Sequence, residues 1–215
     1  MRRVGVFTQD FKFYHDVIET LRSWSIPFVS MEHPYEFSKD VVIVLSSAKD
    51  RDYGSLQERF SDAKHAVRHS FARLLGKSLF SSLVLGIDPG PRPGLAAVGD
   101  GVLTEAMECP SIEALAAEVS DMVCQYTYRD VVIRIGNGDK PNRVAILKLL
   151  KELGLLILEV DERGTTIKYR NENNAISAAK IAMAVSLTNN GKKRSGKGRS
   201  FVERNFLTIQ AVLGS

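Results

Sequence analysis

The sequence predicts an α/β protein. A mixed five-stranded sheet flanked by helices fills the C-terminal half, preceded by a small α/β domain and a connector helix. Two observations carry this. Apolar runs of strand length, such as Val41–Leu45, Leu83–Ile87 and Val131–Ile135, alternate with stretches of helical periodicity. Turn signals also punctuate the second half at the positions strands need, above all Asp100-Gly101 between two strand-like runs.

Taken in order, residues 1–48 read as β-α-β-β. Val4–Thr8 is a strand, and Asp10 caps a helix bearing Phe13, Val17, Ile18, Leu21 and Trp24 at helical spacing. Phe28–Met31 and Val41–Leu45 follow as buried strands. This is about half of a doubly wound domain and has no Gly-rich phosphate loop, so Asp10, His15 and His33 read as structural or solvated. Residues 49–80 are expected to form a charged connector helix, because Leu56, Phe60, Ala63, Val67, Phe71, Leu74 and Leu75 recur at three and four residues. Its other face, rich in Lys and Arg with His65 and His69, reads as solvated rather than metal-binding. Such a helix would join two domains or pair with another subunit, leaving a homodimer open.

Residues 81–188 read as β-β-β-α-β-α-β-α. The first strand ends at Asp88 in the Pro89-Gly90 turn, since proline cannot continue a ladder. Asp88 therefore projects from a strand end, where open α/β sheets place ligands. Leu95–Gly99 and Val102–Glu108 complete a meander. Ser111 caps a helix, Val131–Ile135 is the fourth strand, and Asp139 or Lys140 opens a helix with Pro141 in its first turn. Leu155–Val160 is the fifth strand, and a last apolar helix covers Glu172–Leu187.

Residues 189–215 form a basic segment in which Lys192, Lys193, Arg194, Lys197 and Arg199 occur without an acidic residue between Asn189 and Ser200. The formal net charge of +4 is mild, so this distribution, more than the sum, favours a polyanionic partner. No apolar run approaches the roughly 18 residues of a membrane span. Cys109 and Cys124 suit reduced thiols, with no CxxC or Cys/His cluster for zinc. A cytoplasmic protein is expected.

The motifs carry a resemblance. Gly86-Ile87-Asp88-Pro89-Gly90 resembles the opening of RuvC Holliday-junction resolvases, and Ile135-Gly136-Asn137-Gly138 the matching strand end of YqgF-type domains in Tex transcription factors. Asp161-Glu162-Arg163 with Thr165-Thr166 is similar to the YqgF signature, and Ala175–Ala182 to the small-residue final helix. About residues 83–188 thus resemble the ribonuclease H-like superfamily. The resemblance implies an enzyme cutting phosphodiesters with two Mg²⁺ or Mn²⁺ ions roughly 4 Å apart, held by carboxylates at the sheet's carboxyl edge. It assigns Asp88 and Asp161 as metal ligands with catalytic roles, followed by Asp139 and Glu162. An acidic residue expected at the start of the final helix is replaced by Asn174, an uncharged ligand. Arg92, Lys140, Arg163 and the basic segment would hold DNA or RNA, including branched forms. Two readings follow: a metal-dependent endonuclease or junction resolvase, and a catalytically degenerate binding or scaffold module. An actin-like, phosphate-binding ATPase is a distant third, because those chains carry two copies of the unit.

Overall fold

The computed structural model describes residues 1–35, 38–54, 56–161, 173–184 and 207–208 of the chain. Glu162, Arg163, Lys192, Lys193, Arg194, Lys197 and Arg199 lie outside the described residues. The chain forms two compact units, the first containing Met1–Phe80 and Cys124–Tyr128, the second Ser81–Val123 and the chain from Arg129 to Thr208.

In the first unit, β1 (Arg3–Val6), β2 (Phe28–Ser30), β3 (Val41–Ser47) and β4 (Gln57–Phe60) make a wholly parallel sheet in the order β2-β1-β3-β4. Helices α1 (Phe11–Ser23) and α2 (Ala63–Leu74) bury Val17, Leu21, Val67 and Phe71, while Val4, Ile43 and Leu45 are buried in the sheet. Asp10 and Asp62 cap the two helices, accepting from the Phe13 and His65 N–H groups at 3.3 and 2.7 Å.

The connector helix expected over 49–80 is not formed. Residues 57–60 are instead a strand beside β3, and α2 packs on this same sheet. Leu56, Phe60 and Ala63 happen to fall at helical spacing, but Ser61-Asp62 starts the helix only there. Nor is the basic face simply solvated. Arg68 is fully buried and donates to Gln125 at 2.7 Å, while Tyr126 stacks on Phe71 with ring centroids 5.8 Å apart. His69 links Glu58 (2.6 Å) and Thr127 (2.9 Å), and both His65 and His69 lie against the Phe60 ring.

The second unit follows the expected order. It comprises β5 (Phe80–Asp88), β6 (Gly94–Gly99), β7 (Val102–Glu108), α3 (Ile112–Gln125), β8 (Tyr128–Gly136), α4 (Lys140–Leu150), β9 (Ile157–Val160) and α5 (Asn174–Met183). The sheet order is β7-β6-β5-β8-β9, extended beyond β7 by the short parallel β10 (Leu207–Thr208). The β5-β6 and β6-β7 pairs are antiparallel, and β8-β9 is parallel. Strands β5 and β8 are neighbours of nine residues each, and they start together: the Phe80 N–H donates to the Thr127 carbonyl at 2.9 Å. They therefore run in the same direction and end side by side. The Asp100-Gly101 turn forms with positive φ at both residues (49° and 85°), as a two-residue hairpin turn requires.

Helix α5 lies very close against this sheet. Its Ala178, Ala179 and Ala182 join Ala96, Val98 and Leu103 in one buried cluster. A Cβ on Gly86 would lie 2.2 Å from the Ala178 carbonyl oxygen, and one on Gly94 would lie 1.8 Å from that of Asn174. Only glycine admits so close a backbone approach. The far end of α5 is held by Arg134 from β8, which donates to the Ala182 carbonyl at 2.7 Å and also to that of Ala184.

Replacing Gly86 with alanine must push α5 off the sheet, and equilibrium denaturation should show a loss of about 1–3 kcal/mol or more. In the first unit, Gln125→Ala takes one acceptor from the buried Arg68 guanidinium. The same measurement should show a loss of about 1–3 kcal/mol.

Candidate functional site

Because β5 and β8 end together and Gly136 pairs with Val160 of β9, one edge of the second sheet gathers the ends of three strands. Asp88 stands at the end of β5, half-buried and paired in register with Gly94. Asn137 follows β8 and Asp161 follows β9. The Asn137 side-chain amide donates to an Asp161 carboxylate oxygen at 3.1 Å, and the Asn137 backbone N–H donates to the Val160 carbonyl at 3.1 Å. Helix α5 begins at the same edge, since Asn174 sits over Gly94 and its amide donates to the Arg92 carbonyl at 2.5 Å.

The candidate residues thus divide. Asp88, Asp161 and Asn174 lie along one sheet edge, and Asn137 lies with them. Asp139 instead caps α4, accepting from the Asn142 backbone N–H at 3.1 Å and side-chain amide at 2.7 Å. Lys140, the first residue of α4, is exposed. Arg92 is exposed beside the same edge and pairs with Glu108 at 2.9 Å.

The arrangement limits what metal chemistry this edge supports. Among the described residues, no three His, Cys, Asp or Glu side chains come together in a way that could hold a metal ion. Asp88 and Asp161 rise from strands two places apart, about 10 Å between backbones. Between them stands an amide, which brings no charge to offset a pair of divalent ions. Among the described residues, Asp88, Asn137, Asp161 and Asn174 alone do not supply the ligands of a two-ion centre. What the edge does offer is hydrogen-bonding amides, two carboxylates and, around them, the cations of Arg92 and Lys140.

A second constellation, which sequence reasoning set aside, lies at the carboxyl edge of the first sheet. There a cleft of about 420 Å³ is lined by Asp10, Lys12, Asp16, Ser47, Lys49 and Asp62 among others. It sits where β1, β3 and β4 end and α1 and α2 begin. Lys49 pairs with Asp10 at 2.8 Å, and Ser47 Oγ donates to Asp10 at 3.1 Å. Buried Asp50 accepts from the Gln9 and Ser47 N–H groups at 2.9 and 2.8 Å. The Lys49 ammonium, with the Phe13 N–H behind it, holds the Asp10 carboxyl down at about 2. The signal available beforehand was the placing of Asp10 after one apolar strand and Ser46–Asp50 after another.

Residues 3–74, which end with the last residue of α2, match a family described as a response regulator receiver-like domain. The match covers about a third of the chain and stops short of the second unit. No curated protein and no solved structure matches the chain. Among the described residues no helix is long and apolar enough to cross a membrane.

Asp10 gives a direct test of the first edge. Its folded pKa lies below the ordinary 3.8, so its stabilising contribution is full above that value and is lost as pH falls through about 2. Carboxyl-carbon NMR should place the Asp10 midpoint near 2, and Lys49→Met should raise it toward 3.8. A wild-type midpoint near 3.8 would contradict the pairing.

Proposed function

We propose that the chain is a nucleic-acid-binding protein whose second unit is a ribonuclease H-like core, of the RuvC and YqgF kind, working as a binding module. One observation carries the reading: Asp88, Asn137, Asp161 and Asn174 come from four different elements to a single sheet edge. The sheet order, the glycine-bedded small-residue helix and the Asp88 strand end support the family assignment. Arg92 and Lys140 beside that edge, with the basic run Lys192 to Arg199, supply contacts for a phosphate backbone. Cys109 and Cys124, which form no disulfide, fit a cytoplasmic setting.

The receiver-like first unit gives this module a second, separate sheet edge with its own charged cleft. We assign that unit no nucleic-acid contact.

Cleavage is the second reading, favoured by Asp88 standing at the same edge as Asp161 and dependent on Mg²⁺ or Mn²⁺ with Glu162 as a further ligand. The two separate in one set of assays on branched DNA and structured RNA. The binding reading expects affinity to fall with salt at a log–log slope of about −4 to −5 if the five tail cations all engage a duplex. Replacing those five residues with alanine should flatten the slope, and Asp88→Asn should leave affinity unchanged. Metal-dependent cleavage lost in Asp88→Asn would establish the nuclease instead. Absence of binding to any DNA or RNA tested would overturn both.

A further inference from the structure

We infer that strand β9 is a dimerisation edge, which a second copy of this chain joins by antiparallel pairing about a two-fold axis through Leu158. Among the described residues β9 closes one side of the sheet, with β8 as its only neighbour. The Leu156 and Val160 carbonyls accept from the Ile133 and Asn137 N–H groups at 3.0 and 3.1 Å. Backbone groups alternate along a strand, so those of Ile157 and Glu159 point away from the sheet.

Natural edge strands are blunted by shortness, charge, proline or a bulge. Strand β9 is short and carries one charge, but from Leu155 to Val160 it has no lysine, proline or bulge, and Leu156 is 62 % exposed. Its one charge, Glu159, is met by Arg143 of α4 at 3.4 Å.

The sequence of β9 is complementary to itself, which argues for a second copy as the occupant. A two-fold dimer presents the same patch twice, so two edge strands meet antiparallel. With the axis through Leu158, Ile157 faces Glu159 of the second copy, and both outward pairs exchange their backbone hydrogen bonds. On one face of the joined sheet Leu156 then meets Val160, Leu158 meets Leu158, and Val160 meets Leu156, an unbroken apolar ladder. On the other face each Glu159 meets an isoleucine, so no like charges oppose. Moving the axis to Ile157 would leave Val160 against Gly154, which forfeits part of the ladder. The two Asp161 positions would lie roughly 20 Å apart across the axis.

Light scattering and sedimentation on the full chain test this. The wild type should be a dimer at about 0.1 mM, where a micromolar affinity would be saturated. Two variants, Leu156→Lys on the exposed side chain and Ile157→Pro on the outward N–H, should each weaken it at least tenfold with unchanged circular dichroism. Register is read separately: in a Cys124→Ser background, Leu158→Cys should form an intermolecular disulfide on mild oxidation and Ile157→Cys should not. A wild-type monomer, as would follow if this chain's own residues covered the edge, overturns the inference. So does a dimer indifferent to both variants, or cross-linking through Ile157→Cys alone.

Discussion

The second unit depends on how closely α5 lies on β5 and β6. Two glycines permit it, and the alanines of the helix complete it. The contact has a functional consequence, because it fixes the first residue of α5 beside the turn that follows Asp88. Asn174 reaches the Arg92 carbonyl only since Gly94 lets the Asn174 backbone sit directly above it. Arg134 clamps the other end of the helix from a neighbouring strand. A helix held at both ends over glycine positions its N-terminal amide with little freedom. A site built on such rigid elements is more exact than one built on loops.

At both sheet edges the charges are largely answered from within. Asp10 is met by Lys49 and Ser47, Asp139 by Asn142, Asp161 by Asn137, and Arg92 by Glu108. Carboxylates engaged with ammonium and amide donors in this way are poorly placed to gather hard cations. They are well placed to order the loops that carry them. In the binding reading proposed above, the second edge would offer a phosphate backbone a shaped polar surface, with Lys140 and Arg92 exposed beside it.

Much of this was legible beforehand, for identifiable reasons. The order of elements from β5 to α5 followed from sharp local signals: Pro89 after Asp88, the Asp100-Gly101 turn, and capping by Ser111 and Asp139. The convergence of Asp88, Asp161 and Asn174 could be expected because strand ends and a helix start fall at one edge of such a sheet. Strand β4 was not legible. Gln57-Glu58-Arg59-Phe60 is polar, and only its backbone pairing with β3 makes it a strand. Buried Arg68 was equally hidden, since its acceptor Gln125 lies 57 residues away and only tertiary structure brings it near. The cleft at the first sheet was missed because its residues are split between two loops and lack a glycine signature.

The proposed binding reading has nucleic acid meet the edge where β5, β8 and β9 end. Backbone amide mapping by NMR during titration with a duplex or a structured RNA tests it most directly. Shifts should concentrate at Gly90, Arg92, Asn137, Gly138, Lys140 and Asn174, with the amides of β1 to β4 unmoved. Shifts confined to residues 3–74, with this edge silent, would contradict the account.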